Sequence, residues 1–279
     1  MVKQRIDTSK SENKFRFLSF RDKISDLKIE PFKDLKKKHF NITDKSHLYE
    51  TFEYWSDINL SGNYDLFQRE VNDYIKNLPT IIYNKELILR LILKYIDLHD
   101  ELSLQPLCEL LSQFVHDLND DFLPYYVEAL NTLIALIKDS IIRQKVKAFE
   151  YGFNCLIYIF KYLSKQIIKF EDSRLMIETF EIFNHLITDN ANFYIKKFSA
   201  ESLSFLLRKC NKQLLKRIID LLYDNLNTIN YELNNYEGIY LILSEALKIS
   251  EGNLHSKVEI ITSILMDLSL IHISEPTRH

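Results

Sequence analysis

Apolar residues recur at intervals of three and four along most of the chain, the spacing that places them on one face of an α-helix. Short polar stretches interrupt this pattern, and long segments contain neither glycine nor proline. The pattern predicts a series of helices over His47–Asn59, Tyr64–Leu78, Glu86–Leu98, Leu104–Leu118, Phe122–Lys138, Ile141–Lys169, Ser173–Thr188, Asn190–Cys210, Leu214–Thr228, Tyr231–Ile249 and Asn253–Leu268.

Proline and glycine positions refine these boundaries. Pro79 is expected to end the second helix. Pro106 and Pro124 are expected in the first turns of the fourth and fifth helices, where a missing N–H costs no hydrogen bond. Gly152 is the weak point of the longest segment, which is therefore predicted to form two helices or one bent helix.

The segment Asn190–Cys210 shows the helical pattern most clearly. Small residues between its faces would let a neighbouring helix approach closely, and a basic pair, small residues and a leucine-rich end are typical of the second helix of a HEAT-type repeat. The predicted apolar face contains Ile195, Phe198, Leu203, Leu206 and Leu207, the polar face contains Lys197, Glu201, Ser204 and Arg208, and the small residues are Ser199, Ala200 and Ser202.

Helices that are apolar on more than one face bury that surface only by packing against one another. With four glycines and five prolines in 279 residues, the chain has too few turn residues for a β-sandwich or β-barrel. The sequence therefore predicts an all-α fold, an α-solenoid of HEAT/armadillo-like antiparallel helix pairs with a period of about 40 residues. A compact helical bundle is the structural alternative.

Charge divides the chain into regions. Residues 1–40 hold 12 basic and 6 acidic residues, a net charge of +6, whereas the remaining 24 basic and 33 acidic residues give −9. We expect 1–40 to be a basic, partly disordered arm, either solvated or in contact with a polyanion or acidic protein surface, with an apolar strip from Phe15 to Ile29 packing along the body. Residues 41–268 are predicted to be a solenoid segment, a fragment of a longer array, and residues 269–279 (SLIHISEPTRH) a non-native tail.

Cysteine usage and hydropathy indicate the expected environment. Cys108, Cys155 and Cys210 are far apart in apolar helical contexts, so we expect buried free thiols and a reducing compartment. No secretory signal is predicted, because no apolar run follows the first charges. No membrane span is predicted either, because lysine or arginine interrupts each hydrophobic window.

The chain contains none of the common catalytic or nucleotide-binding motifs GxxxxGK, GxGxxG, HExxH and GxSxG. Glu181 and His185 share a helix face, but no second such pair completes a metal site. Asp97–Glu101 gathers acidic residues around His99 at a helix end, where we expect a solvated turn. We therefore predict no catalysis, metal, cofactor or small-molecule substrate.

Clustered basic residues are the remaining functional candidates. Seven cations over 22 residues bracket one predicted helix and begin the next, with Glu201 and Asp220 nearby. Such a stripe suits phosphate contacts, and an ordinary charged outer face is the alternative. The candidate RNA or partner contacts are Lys36, Lys37, Lys38, Lys196, Lys197, Arg208, Lys209, Lys212, Lys216 and Arg217.

Four segments, in this order, resemble a known family: SHLYETFEYWSDINLSGNYDLFQREV (46–71), LSLQPLCELLSQFVHDLNDDFLPYY (102–126), FEYGFNCLIYIFKYLSKQI (149–167) and YIKKFSAESLSFLLRK (194–209). They are similar to the N-terminal region of the giant HEAT-repeat family of the small-subunit processome, called the U-three small nucleolar RNA-associated protein twenty or down-regulated-in-metastasis family. The resemblance covers residues 15–268 and is most specific over residues 195–209.

This resemblance implies a non-catalytic nucleolar scaffold in 18S rRNA processing and early 40S ribosomal subunit assembly. It implies small-subunit processome proteins as partners, with pre-rRNA or U-three small nucleolar RNA as candidate ligands, and members of the family are many times longer than this chain. The alternative function is a HEAT-type nuclear transport or cargo adaptor that binds peptide segments. Such an adaptor should repeat Trp and Asn along its inner helices, whereas Trp55 is the single tryptophan here.

Overall fold

The computed structural model describes residues 19–27, 41–58, 60–188, 192–228, 241–242 and 266. Within these residues the chain forms α-helices, one 3-10 helix and no strand. The 3-10 helix, Asn119–Tyr125, joins two of the α-helices. The α-helices are α1 (Phe20–Asp26), α2 (His47–Ser56), α3 (Gly62–Val71), α4 (Leu78–Tyr83), α5 (Lys85–Asp97), α6 (Glu101–Leu118), α7 (Tyr126–Ile142), α8 (Val146–Lys169), α9 (Arg174–Thr188), α10 (Phe193–Leu207) and α11 (Lys212–Thr228).

Helices joined by short turns pack against each other in pairs along the described part of the chain. α5 packs on α6, α7 on α8, and α9 on α10, while α6 and α8 join successive pairs. The long helix α8 also contacts α1, α9 and α10. Each pair buries the apolar surface of its neighbours. The chain is therefore an all-α solenoid of HEAT-like helix pairs, as the helical periodicity predicted.

Helix α1 packs between α8 and α10, so the described part of the apolar strip predicted from Phe15 to Ile29 lies along the body. The side chain of Phe20 is 1% exposed. Its ring centroid lies 6.1 Å from those of Phe153 and Phe160 and 5.7 Å from that of Phe205. The rest of the predicted basic arm lies outside the described residues.

Helix α10 is buried on nearly all sides, in contrast to the predicted division into an apolar and a charged face. The small residues Ser199, Ala200 and Ser202 are 0% exposed, consistent with close approach of neighbouring helices. However, Glu201 and Ser204 of the predicted polar face are also buried. The reason is that α10 contacts four other helices, α1, α7, α8 and α9, so no broad face is left for solvent.

The prolines lie in positions that differ from those expected. Pro79 does not end a helix but occupies the first turn of α4, which the side chain of Asn77 caps. Pro106 lies in the interior of α6, because the side chain of Asp100 caps that helix several residues before the predicted start. Pro124 lies within the 3-10 helix that precedes α7.

Gly152 does not interrupt α8, which runs continuously for 24 residues. A Cβ atom at this position would lie 3.1 Å from Cδ2 of Leu136 and 3.3 Å from Cγ1 of Ile137, both in α7. The glycine therefore lets α7 and α8 approach each other closely.

The three cysteines are buried free thiols, as predicted. Burial raises the pKa of Cys155 to about 12, so this thiol stays protonated at neutral pH. None of the described helices has the length and apolar character needed to cross a membrane. The predicted helices Tyr231–Ile249 and Asn253–Leu268 and the predicted tail 269–279 lie outside the described residues, apart from residues 241–242 and 266.

Candidate nucleic-acid interface

The ten candidate cations fall into three groups. Lys36, Lys37 and Lys38 lie outside the described residues. Four others belong to α10 or to the turn after it, and the last three belong to α11. The sequence predicted that these seven form one surface stripe, so the exposure of each side chain decides which of them can meet a phosphate.

Lys196 does not lie on the surface, because only 2% of the residue is exposed. A buried ammonium group requires a partner inside the protein, since its charge is costly to remove from water. Lys196 is therefore not available to an external phosphate, and the prediction of a surface contact there is wrong. Lys197, the next residue, is half-buried.

Arg208 and Lys209 follow the C-terminus of α10 and lie against the ring of Phe205. The guanidinium carbon of Arg208 is 5.6 Å from the ring centroid, and Nζ of Lys209 is 4.2 Å from it. Nζ of Lys209 also donates a hydrogen bond to Oγ of Ser164 in α8, at 2.6 Å. Positive charge is favourable at a helix C-terminus, and cations beside an aromatic ring can contact both phosphates and bases.

Lysines of α8 add to the positive charge of this group. The pKa of Lys209 is lowered to about 8, first because burial of its ammonium disfavours the charged form and then because Arg208, Lys165 and Lys161 repel it. Although Lys209 is exposed as a whole residue, its ammonium is enclosed between Ser164 and the ring of Phe205. A bound anion would relieve this repulsion.

Two charged side chains near this group hold α1 in place. Nζ of Lys161 donates to the backbone oxygens of Ile24, at 2.7 Å, and of Leu27. Oε2 of Glu201 accepts from the backbone N–H of Phe20 at 2.7 Å. Glu201, which the sequence placed beside the cations as a neighbouring acid, instead caps the start of α1.

Helix α11 presents cations on the side away from the core. Lys212 and Lys216 share a face because they are four residues apart, and Asp220 is an exposed acid one turn further on. The exposed cations of α11 are Lys212, Lys216 and Arg217, and the buried side chains are Leu214, Leu215 and Ile218.

Six cations of α8, of the turn after α10 and of α11 are here called the basic surface: Lys165, Arg208, Lys209, Lys212, Lys216 and Arg217. Sequence analysis missed Lys165, which precedes the others by more than 40 residues. Its only signal in the sequence was that it interrupts an apolar helical run together with Lys161.

The other polar clusters noted in the sequence lie on α9 and after the end of α5. Glu181 and His185 are exposed on α9. Nδ1 of His99 lies 3.0 Å from Oδ2 of Asp139, and Asp100 caps α6. As expected, Asp97–Glu101 is a turn between two helices in which Asp97 and Glu101 are exposed, although His99 and Asp100 are half-buried and hydrogen-bonded.

Comparisons with known proteins give two clear relatives. No protein-family model matches the chain. U3 small nucleolar RNA-associated protein 20 of Saccharomyces cerevisiae is 39% identical over 278 residues, covering 100% of this chain and 11% of that protein. The protein of the same name in Schizosaccharomyces pombe is 29% identical over 262 residues, covering 92% of this chain and 10% of that protein. The chain thus corresponds to a small part of much longer relatives.

Proposed function

The chain is related over its whole length to part of the U3 small nucleolar RNA-associated protein 20 family, and on that premise we propose that it is a scaffold module of the small-subunit processome. It acts without catalysis in 18S rRNA processing and early 40S ribosomal subunit assembly, in the nucleolus. The observation that carries this proposal is the 39% identity that extends along all of the chain. The name of these relatives states an association with U3 small nucleolar RNA.

The solenoid architecture supports a scaffold. Stacked helix pairs present an extended surface whose length grows with the number of repeats, which suits contacts with several proteins or with a long RNA. The helices found here need their neighbours to bury their apolar faces. A module of this kind positions partners relative to one another.

The basic surface is proposed as the place where this module contacts pre-rRNA or U3 small nucleolar RNA. It combines exposed cations on α11 with Arg208 and Lys209 beside the ring of Phe205. Phosphate neutralisation by lysine and arginine supplies most sequence-independent RNA affinity. Acidic or phosphorylated segments of processome proteins would use the same charges, so the experiment must distinguish the two partners.

A salt titration of RNA binding tests the interface. Charge reversal of Lys212 and Lys216 to Glu, with or without Arg208→Glu, should weaken binding to structured RNA and reduce the slope of log affinity against log salt by roughly 0.7–0.9 per lost phosphate contact. The matched control is Lys76→Glu with Arg90→Glu, exposed cations in another part of the solenoid. The proposed interface would be contradicted if the charge-reversal variant and the control lost equal RNA affinity, or if neither lost any.

Affinity purification of the full-length protein from its own cells tests the scaffold itself. Pre-ribosomal RNA and small-subunit processome proteins should copurify, and a deletion of the solenoid segment should lose part of them. Copurification with nuclear transport factors instead would favour the adaptor alternative. The structure does not favour that alternative, because Trp55, the single tryptophan, is 7% exposed and its indole N–H donates to Oε2 of Glu109.

A further inference from the structure

Two histidines and an aspartate meet where the start of α2 approaches the end of α6. The ring centroids of His47 and His116 are 4.1 Å apart. Nδ1 of His116 lies 3.9 Å from Oδ1 of Asp117, too far for a hydrogen bond. One ligand atom from each of the three residues lies within 4.8 Å of the other two. His47 is 69 residues from His116 in sequence, so only the fold brings them together.

Asp117 is held in a fixed orientation by its other contacts. Its Oδ2 accepts from Oγ of Ser46 at 2.6 Å and from the backbone N–H of Leu48 at 3.0 Å. Its Oδ1 accepts from the backbone N–H of His47 at 3.0 Å, which leaves a second lone pair on that oxygen. Hydrogen bonds of this kind orient a carboxylate for metal binding before the metal arrives.

The two imidazole rings offer nitrogen donors. Nδ1 of His116 is buried and has no hydrogen-bond partner, which is costly for a polar atom inside a protein. This nitrogen lies beside a second imidazole and a carboxylate. Its lack of a partner therefore points to a ligand, in addition to the closeness of the three side chains.

We propose that His47, His116 and Asp117 bind a divalent transition-metal ion, with Zn²⁺ as the best fit. Two imidazole nitrogens and one carboxylate oxygen are a donor set that Zn²⁺ accepts, with water as the fourth ligand. Bonds of about 2.0–2.1 Å in a tetrahedron place ligand atoms about 3.4 Å apart. The present spacing of up to 4.8 Å therefore needs a modest rotation of His47, which is half-buried and lies at the first residue of α2.

A metal here would fasten α2 to α6. Helix α2 contacts α6 over much of its length, and its first turn already depends on Asp117. An ion that binds only the folded protein stabilises it in proportion to the logarithm of its concentration. The site shares no residue with the basic surface, and metal binding is measured without RNA, so its test is independent of the RNA proposal.

Zn²⁺ titration of the metal-free 279-residue chain, without an affinity tag, tests the proposal. Calorimetry should show one Zn²⁺ bound per chain, with the melting temperature raised by added Zn²⁺. His47→Gln and His116→Gln should each weaken binding by about tenfold or more. The matched control is His185→Gln, because His185 is exposed beside Glu181 and should not contribute. Co²⁺ in place of Zn²⁺ should give the visible absorption of a four-coordinate ion.

Three results would overturn the site: no binding of Zn²⁺ at tens of micromolar, binding that survives both His47→Gln and His116→Gln, or binding that His185→Gln removes. Circular dichroism in the presence of a chelator checks that each variant is folded. If His116→Gln fails to fold, the half-buried His47 still decides the question, since its replacement leaves the core of α6 unchanged.

Discussion

Two buried carboxylates, Asp117 and Glu201, each accept hydrogen bonds at the start of a helix that lies far away in the sequence. Asp117 accepts the backbone N–H groups of His47 and Leu48 in α2. Glu201 accepts that of Phe20 in α1. Both place negative charge at a helix N-terminus, where free N–H groups and the helix dipole favour it. The two junctions nevertheless differ in how the helix is otherwise held.

Helix α2 has a cap of its own as well. Oγ of Ser46 accepts from the backbone N–H of Tyr49, so Asp117 supplements a local cap. Ser19 before α1 provides no such bond. Helix α1 therefore depends on contacts with other helices: Glu201 and the ring contacts of Phe20 at its start, and Lys161 at its end. A helix of seven residues without a local cap depends on such tertiary contacts for its stability.

Removal of Asp117 should have the largest effect. Asp117→Ala leaves three buried donors without their acceptor, and we expect a loss of about 3 kcal/mol in the free energy of unfolding. Urea denaturation in the presence of a chelator measures this loss. The control Asp121→Ala removes a largely exposed carboxylate that pairs with Lys85, and should cost less than about 0.5 kcal/mol. Equal effects in the two variants would contradict the capping role.

Removal of Glu201 should act mainly on α1. Glu201→Ala should weaken docking of α1 by about 2 kcal/mol, because a short charge-assisted hydrogen bond to a buried N–H is lost. Hydrogen exchange should show faster exchange of the amides of α1 than of those in α2. If the amides of α1 and α2 lose their protection from exchange together, then α1 is part of the cooperative core. The proposed difference between the Glu201–α1 and Asp117–α2 contacts would then be wrong.

Replacement of Lys161 should have a smaller effect on the same helix. Lys161→Met keeps the aliphatic contacts but leaves the carbonyl groups of Ile24 and Leu27 without their donor, and should weaken docking of α1 by about 1 kcal/mol. The rate of hydrogen exchange of the amides at the end of α1 measures this weakening. Lys165→Met is the matched control, one turn further along α8 on an exposed position, and should leave α1 unchanged.

The smallest expected effect is a dependence of stability on pH near α10. The pKa of Lys209 is about 8 in the folded protein, below its ordinary value of 10.5. Between these values the unfolded chain binds more protons than the folded one, so stability should rise with pH. The free energy of unfolding of the wild type should therefore increase relative to that of Lys209→Met when the pH is raised from 7 to 9.5. Urea denaturation of both proteins at the two pH values measures this change. A constant difference would show that the lysine is not enclosed.

Helical periodicity was sufficient to predict the class of fold and most helices. Helix α5, for example, begins and ends within one residue of the prediction. The boundaries around Pro79 and Pro106 were wrong because the capping side chains of Asn77 and Asp100 are local features that were not weighed against the prolines. Gly152 was interpreted as a break because its close neighbours in α7 are invisible in the sequence.

The candidate sites were less predictable than the fold. The exposed cations of α11 could be identified from the sequence, because the face opposite to an apolar stripe usually meets solvent. Lys196 and Glu201 were misplaced because their burial depends on helices packed around α10 from several directions. The cluster of His47 and His116 was missed because no local spacing connects residues so far apart.

The sequence by itself determined the helices and their stacking, since the spacing of apolar residues is a local property that each helix carries along its own length. Only the tertiary structure decided which charges face solvent and which are buried. A side chain such as Glu201 or Asp117 acquires its role from a backbone N–H that is 181 or 70 residues away. Those contacts form only when the whole chain is folded. A buried carboxylate needs hydrogen-bond donors, and the packing of distant helices brings those donors to it.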